Sequence, residues 1–302
     1  PDCATPRDLR ECDFSKAMQR YGFSLNRQNK SRKIFQKNVF LVIFSRISVV
    51  FPNFSPQKWR FMQEKTQGVV LRTLKYNDNS LIVDIYTAIR GTVSFMVKLP
   101  KSRKAALKGV FFRPLSILEI DFDYRQKSAL QRIRDVRFDY TYQSLPYDPY
   151  KSSIALFLAE FLCRVLKHEA GGGPLFSYIL YSLQWLDASE RAFSNFHLVF
   201  ITRLTRFLGF YPNVEAWHEG DYFDMMNACF VPSRPFHHAY LEPKEAAAIP
   251  IFMRMNYDSM RFFAMNRRER ERYIEVLNDY YRLHVPEFPE LKSLDVLKEV
   301  FA

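Results

Sequence analysis

Two hydrophobic periods divide the chain, and a stretch with neither precedes them. From Thr66 to Tyr142 apolar and polar residues alternate in short runs broken by turn residues, the pattern of half-buried strands. Gly68–Leu74 is predicted as a first strand, Ser80–Thr87 as a second, Thr92–Lys98 as a third and Leu115–Phe122 as a fourth. Leu130–Tyr142 alternates only in part and is predicted as a fifth. Lys75–Asn79 and Ala88–Gly91 are the turns, and Gly91 can take the positive φ that a tight turn needs. Five short strands suit a small barrel. An OB-fold is one such barrel, and SH3-like barrels share the strand count.

Past Pro146 and Pro149 the period becomes helical. Ile154, Phe157, Leu158, Phe161, Leu162, Val165 and Leu166 recur on one face, with Asp148 or Ser152 available as the cap. Gly171–Gly173 breaks the pattern, and Pro174 can open a second helix over Leu175–Trp185. A third starts at Asn195 and ends at Gly209. Glu242–Met253 and Arg267–Leu283 are two more, while Tyr222–Val231 looks like a hairpin. The apolar stripes read as core. The fold class expected is therefore α+β. A basic barrel over 62–145 is followed by a helical domain over 146–302 with a small β-hairpin insertion.

Residues 1–61 show neither period. Within them the basic Asn26–Asn38 runs into the apolar Val39–Phe51, which Ser45, Arg46 and Ser48 interrupt. That run is shorter than the roughly 18 apolar residues of a membrane span. No small-residue cleavage site follows it. The regular pattern begins just after Met62, so residues 1–61 are expected to be disordered or a misassigned extension.

Charge changes this picture in the middle of the chain. The net charge is +12, and residues 62–140 carry 15 basic against 8 acidic side chains, whereas 141–302 carry 17 against 20. Five cations fall between Lys98 and Lys108, namely Lys98, Lys101, Arg103, Lys104 and Lys108, and Arg113 follows. With Arg72 these are the candidate DNA-binding residues, because a phosphate backbone selects clustered cations through counterion release. A solvated, charge-rich loop would give the same pattern. Near the end, Arg261, Arg267, Arg268, Arg270 and Arg272 interleave with Glu269, Glu271 and Glu275. A salt-bridged helix face accounts for these charges. A dock for an acidic peptide is the functional reading, with Arg261, Arg267 and Arg268 as its candidates.

Chemistry-bearing motifs are missing. Gly171–Gly173 has no Lys-Ser or Lys-Thr after it, and there is no GxSxG, HExxH or CxxC. Cys3, Cys12, Cys163 and Cys229 form no disulfide framework. No enzyme activity, cofactor or metal is expected.

Specific segments resemble the RecO family of DNA repair and recombination proteins. The resemblance is carried first by Gln67–Leu71, Asp78–Val83 and Tyr86-Thr87…Arg90-Gly91. It continues in Val97–Lys104 and Lys108–Leu115, in Leu204–Pro212, and in the tail Tyr280-Tyr281…Leu291-Lys292-Ser293-Leu294-Asp295-Val296-Leu297. Leu99-Pro100 and Asn79 depart from the family pattern. The resemblance implies an OB-fold that binds single- and double-stranded DNA, annealing of complementary strands, and help in loading RecA recombinase. It implies RecR and the acidic, phenylalanine-ended tail of single-stranded DNA-binding protein (SSB) as partners. It also implies a bacterial cytoplasmic location, at the nucleoid during repair. Many members carry a four-cysteine zinc site after the Gly-x-x-Pro helix end. Here 213–240 holds only Cys229, with His218, His237 and His238, so the region is expected to be a degenerate, metal-free version. Two other readings stand beside this one: an OB-fold RNA-binding factor, and a protein-interaction adaptor without a nucleic-acid role.

Overall fold

A long first strand organises the amino-terminal half. The computed structural model describes residues 62–99 and 109–300. The expectation for 1–61 lies outside them, as do Lys101, Arg103, Lys104 and Lys108. β1 (Met62–Asn77) pairs antiparallel with β4 (Ile117–Tyr124) through its first half and with β2 (Ser80–Thr87) through its second. At Gly68, where both pairings overlap, a Cβ would lie 2.6 Å from Ile85 Cγ2. β3 (Gly91–Lys98) and β5 (Arg132–Tyr140) complete a five-stranded sheet in the order β3-β2-β1-β4-β5. The sheet is OB-like and is not closed by a ladder. Its two edges meet at one parallel bridge, Phe95 to Gln131, where Met96 N–H donates to Gln131 O and Gln131 N–H donates to Ser94 O, each at 2.9 Å.

Alternation sorts the sheet's two faces. Val70, Val83, Ile85, Phe95, Leu118, Ile120 and Phe122 fill the inside, and Phe112 plugs it from a 3-10 turn over Gly109–Phe112. β4 begins at Ile117, two residues later than the alternation suggests, because Leu115 takes a positive φ of 62°.

The helical half consists of α1 (Pro149–Val165), α2 (Gly173–Ala188), α3 (Phe196–Leu208), two short helices α4 (Pro243–Ala246) and α5 (Ile249–Arg254), then α6 (Arg267–His284) and α7 (Ser293–Val300). Asp148, rather than Ser152, caps α1: its Oδ1 accepts from Tyr150 N at 2.8 Å and Lys151 N at 3.1 Å. The single helix expected over Glu242–Met253 is split. Pro250 has no N–H to offer Ala246, so a new helix starts around it. The hairpin forms as β6 (Tyr222–Asp224) and β7 (Cys229–Val231), and a two-residue β8 (Tyr240–Leu241) pairs on the other side of β6.

The two halves share one apolar cluster. Val69, Leu71, Tyr86, Leu115 and Ile117 turn outward from the sheet into the helical core. Polar contacts fix the seam. Thr92 Oγ1 donates to Leu166 O at 2.8 Å. The buried carboxylate of Asp187, on α2, accepts backbone N–H groups from Gln143, Ser144 and Leu145 and the hydroxyl of Tyr140. Burial pushes that carboxyl up, but the converging donors outweigh it and hold the pKa below the usual aspartate value. The Lys151 ammonium, also buried, donates to Ser144 Oγ, Asp187 O and Ser189 O.

Candidate nucleic-acid interface

The outward face of β1–β2–β3 is built in rows, because paired residues on neighbouring strands point the same way. The row Val69–Tyr86–Thr92 seats against the helical half. Next comes Arg72–Asp84–Ser94. Arg72 Nη2 lies 2.7 Å from Asp84 Oδ2, and Ser94 Oγ donates to Asp84 Oδ1 at 2.6 Å. Then follows an apolar row, Leu74–Ile82–Met96, and after it Ser80 paired with Lys98. Lys98 is exposed and has no ion pair among the described residues. The basic connection leaves this end at Leu99, whose N–H donates to Asn79 O, and returns at Gly109 against Leu99.

The structure thus brings Arg72 and Lys98 onto one face with unequal freedom. Arg72 spends its guanidinium on Asp84. Arg113 is exposed just past the Phe112 plug and is also without an ion pair among the described residues. Sequence reasoning missed Arg132. It is exposed and follows Gln131, whose backbone bonds β3 at Ser94 and Met96, so it borders the same face. Gln131 also pins the β4–β5 turn, accepting from Arg125 N at 2.8 Å and donating to Ser128 O at 2.7 Å. The positive signal could have been found as the one arginine of β5 nearest a turn. Other cations are neutralised. Lys65 and Arg137 both bind Glu119, Arg134 binds Asp123 at 2.8 Å, and Arg90 binds Glu64.

A second feature lies in the helical half. A cleft of about 520 Å³ opens between α5 and the first turns of α6, floored by Ile249, Phe252, Met255, Phe263 and Tyr273. Arg268 and Arg272 stand on its rim. Arg272 is held by Glu245 at 2.6 Å and Glu269 by the Asn266 capping box, which leaves Arg268 without an ion pair among the described residues. Of the three arginines singled out in the sequence, only Arg268 lines the cleft. Arg267 pairs with Glu271 at 2.6 Å, and Arg261 stacks over Phe262 at 4.6 Å.

Comparison with known proteins decides the family. Residues 62–142 match the model described as Recombination protein O N terminal, and 146–295 match Recombination protein O C terminal. The chain belongs to the RecO family. It is 58% identical over 241 residues to the DNA repair protein RecO of Phocaeicola vulgatus, covering 80% of this chain and 100% of that one. The figures are 53% over 241 residues for the DNA repair protein RecO of Bacteroides fragilis and 35% over 244 residues for that of Flavobacterium johnsoniae, with the same coverage. RecO membership gives the chain a role in DNA repair and recombination.

The tail of this RecO chain packs back onto the first helix. Glu160 on α1 accepts from Ser293 N at 2.8 Å and Ser293 Oγ at 2.5 Å, and so caps α7 from another helix. The four-cysteine zinc site that the resemblance implies for many family members has no matching donor set among the described residues. Asp224 is engaged by Met226 N, Asn227 and His237, whose Nε2 is 3.2 Å from it. Among the described residues no three His, Cys, Asp or Glu side chains converge as a cage. Phe223 and Phe230 pack against each other across β6–β7 instead, their rings tilted by 56° with centroids 5.0 Å apart. No described helix is long and apolar enough to cross a membrane.

Proposed function

We propose that this RecO protein binds single- and double-stranded DNA through its barrel, anneals complementary strands, and helps load RecA onto SSB-coated DNA with RecR as partner. The observation that carries the reading is the placement of unpaired cations. Lys98 and Arg132 border the outward β1–β2–β3 face, and Leu99 and Gly109, which flank the basic segment in the sequence, lie beside it. That face and its flanking turns are where OB-folds take oligonucleotides. The action is physical: phosphate contacts hold one strand while its bases stay available for pairing. No covalent step is involved.

The cleft beside Arg268 supports the second contact. Its apolar floor suits a terminal phenylalanine, and Arg268 at the α6 amino terminus suits a carboxylate. The acidic tail of SSB is assigned there. Annealing of complementary strands coated with SSB tests both contacts. Fast annealing that slows at least tenfold with tailless SSB, or with Arg268→Glu and intact SSB, is expected. Failure to anneal or bind in low salt would leave the adaptor reading in its place. The exposed Leu74 and Tyr76 on the sheet keep an RNA-binding factor as the second reading. A salt titration of RNA against DNA of the same sequence separates the two.

A further inference from the structure

The outward face carries more than charge. Tyr76 lies at the irregularity between Lys75 and Asn77, where the β1–β2 register shifts, and is 64% exposed. Leu74 is 44% exposed and begins the row that continues through Ile82 and Met96. Inward neighbours fill the barrel, so this row is surplus to the core: Val83 and Phe95, one residue along, are fully buried. The helical half covers the outward face over the Tyr86–Thr92 row and reaches the next one, where Asp84 is buried and Cys163 of α1 lies near Arg72 and Asp84. The Arg72–Asp84–Ser94 row separates the covered part from the apolar part. A protein that only needed phosphate contacts would gain nothing from an exposed tyrosine and leucine here.

We infer that Tyr76, with the Leu74–Ile82–Met96 row as its floor, is a base-stacking platform that makes this face favour single strands over duplex. The inference rests on the DNA-binding reading and specifies which form of the ligand this site takes. Charge complementarity selects the occupant. Successive rows stand about 7 Å apart, twice the rise per strand residue. The apolar row therefore lies one row from Lys98 and one from Arg72, with Arg132 bordering the β3 edge. A strand whose phosphates follow Lys98 and Arg132 along the β3 edge lays its bases over the adjoining row. A duplex keeps its bases stacked inside and can offer only phosphates. Every base has a π-face, so the platform selects for strandedness and not for sequence.

The test compares full-length wild type with Tyr76→Ala and Tyr76→Phe. The probes are an oligothymidylate, an abasic strand of the same length, and a duplex of the same length. Wild type binds the oligothymidylate more tightly than the abasic strand. Tyr76→Ala lowers affinity for the oligothymidylate by about 5- to 100-fold, leaves duplex and abasic affinities unchanged, and keeps the salt slope because no cation is lost. Tyr76→Phe retains wild-type binding. An unchanged oligothymidylate affinity in Tyr76→Ala, or an equal loss on duplex, overturns the platform while leaving DNA binding intact. Absence of binding to all three probes by wild type overturns the DNA-binding reading itself, and the platform with it.

Discussion

Burial of His197 on α3 makes acid a specific hazard for this fold. The ring is 4% exposed and packs edge-on against Phe157 at 6.4 Å. Burial, helped by the positive charge of Arg270, lowers its pKa to about 3. The unfolded chain takes up this proton near pH 6.5 and the folded chain does not, so the unfolded state binds more protons between those values. Stability is full above about pH 6.5 and falls as pH drops toward 3, at up to about 1.4 kcal/mol per pH unit. Thermal midpoints measured from pH 7 to pH 5 should decline in the wild type, and less steeply in His197→Gln; equal slopes would assign the acid sensitivity elsewhere. None of this was legible in the sequence, where His197 is one polar letter in an apolar run. The same holds for Arg72, chosen from the sequence as a candidate DNA contact. Its partner Asp84 is twelve positions away, and only strand pairing brings the two together. Local spacing reveals neither partner nor burial.

At the scale of elements, alternation and helical spacing located β1 to β5, α1, α2, α3 and α6, because each buries a long apolar face. They missed β8, which is two residues long, and gave no helix for α7, whose amino terminus is capped by Glu160 from α1. They joined α4 and α5, since the apolar stripe continues across the Pro250 break. The Gly171–Gly173 stretch was legible as a helix break. Its second purpose was not. Gly171 lies so close to the β2–β3 turn that a Cβ would overlap the backbone nitrogens of Gly91 and Arg90. Gly171→Ala must therefore push the barrel from the helical half, at the cost of the Thr92–Leu166 bond as well. A loss of about 2 kcal/mol or more is expected, seen as a lower urea midpoint; a change under about 0.5 kcal/mol would mean that the seam is loose.

Across the whole molecule, charge as counted along the chain and charge as arranged in space differ. Residues 62–140 are basic by composition, yet Glu119, Asp123 and Glu64 neutralise the cations of β1, β5 and the β2–β3 turn. Among the described residues Lys98, Arg113, Lys127 and Arg132 remain without an ion pair, and of these Lys98 and Arg132 border the outward face of the OB-like sheet. The most direct test of the account is the salt dependence of DNA affinity for wild type and for Lys98→Ala/Arg132→Ala. Log affinity for a single strand should fall linearly with log salt in the wild type. In the double variant the affinity should be lower and the slope shallower by about 1 to 2. Wild-type affinity indifferent to salt, or a variant with the wild-type slope, would contradict it.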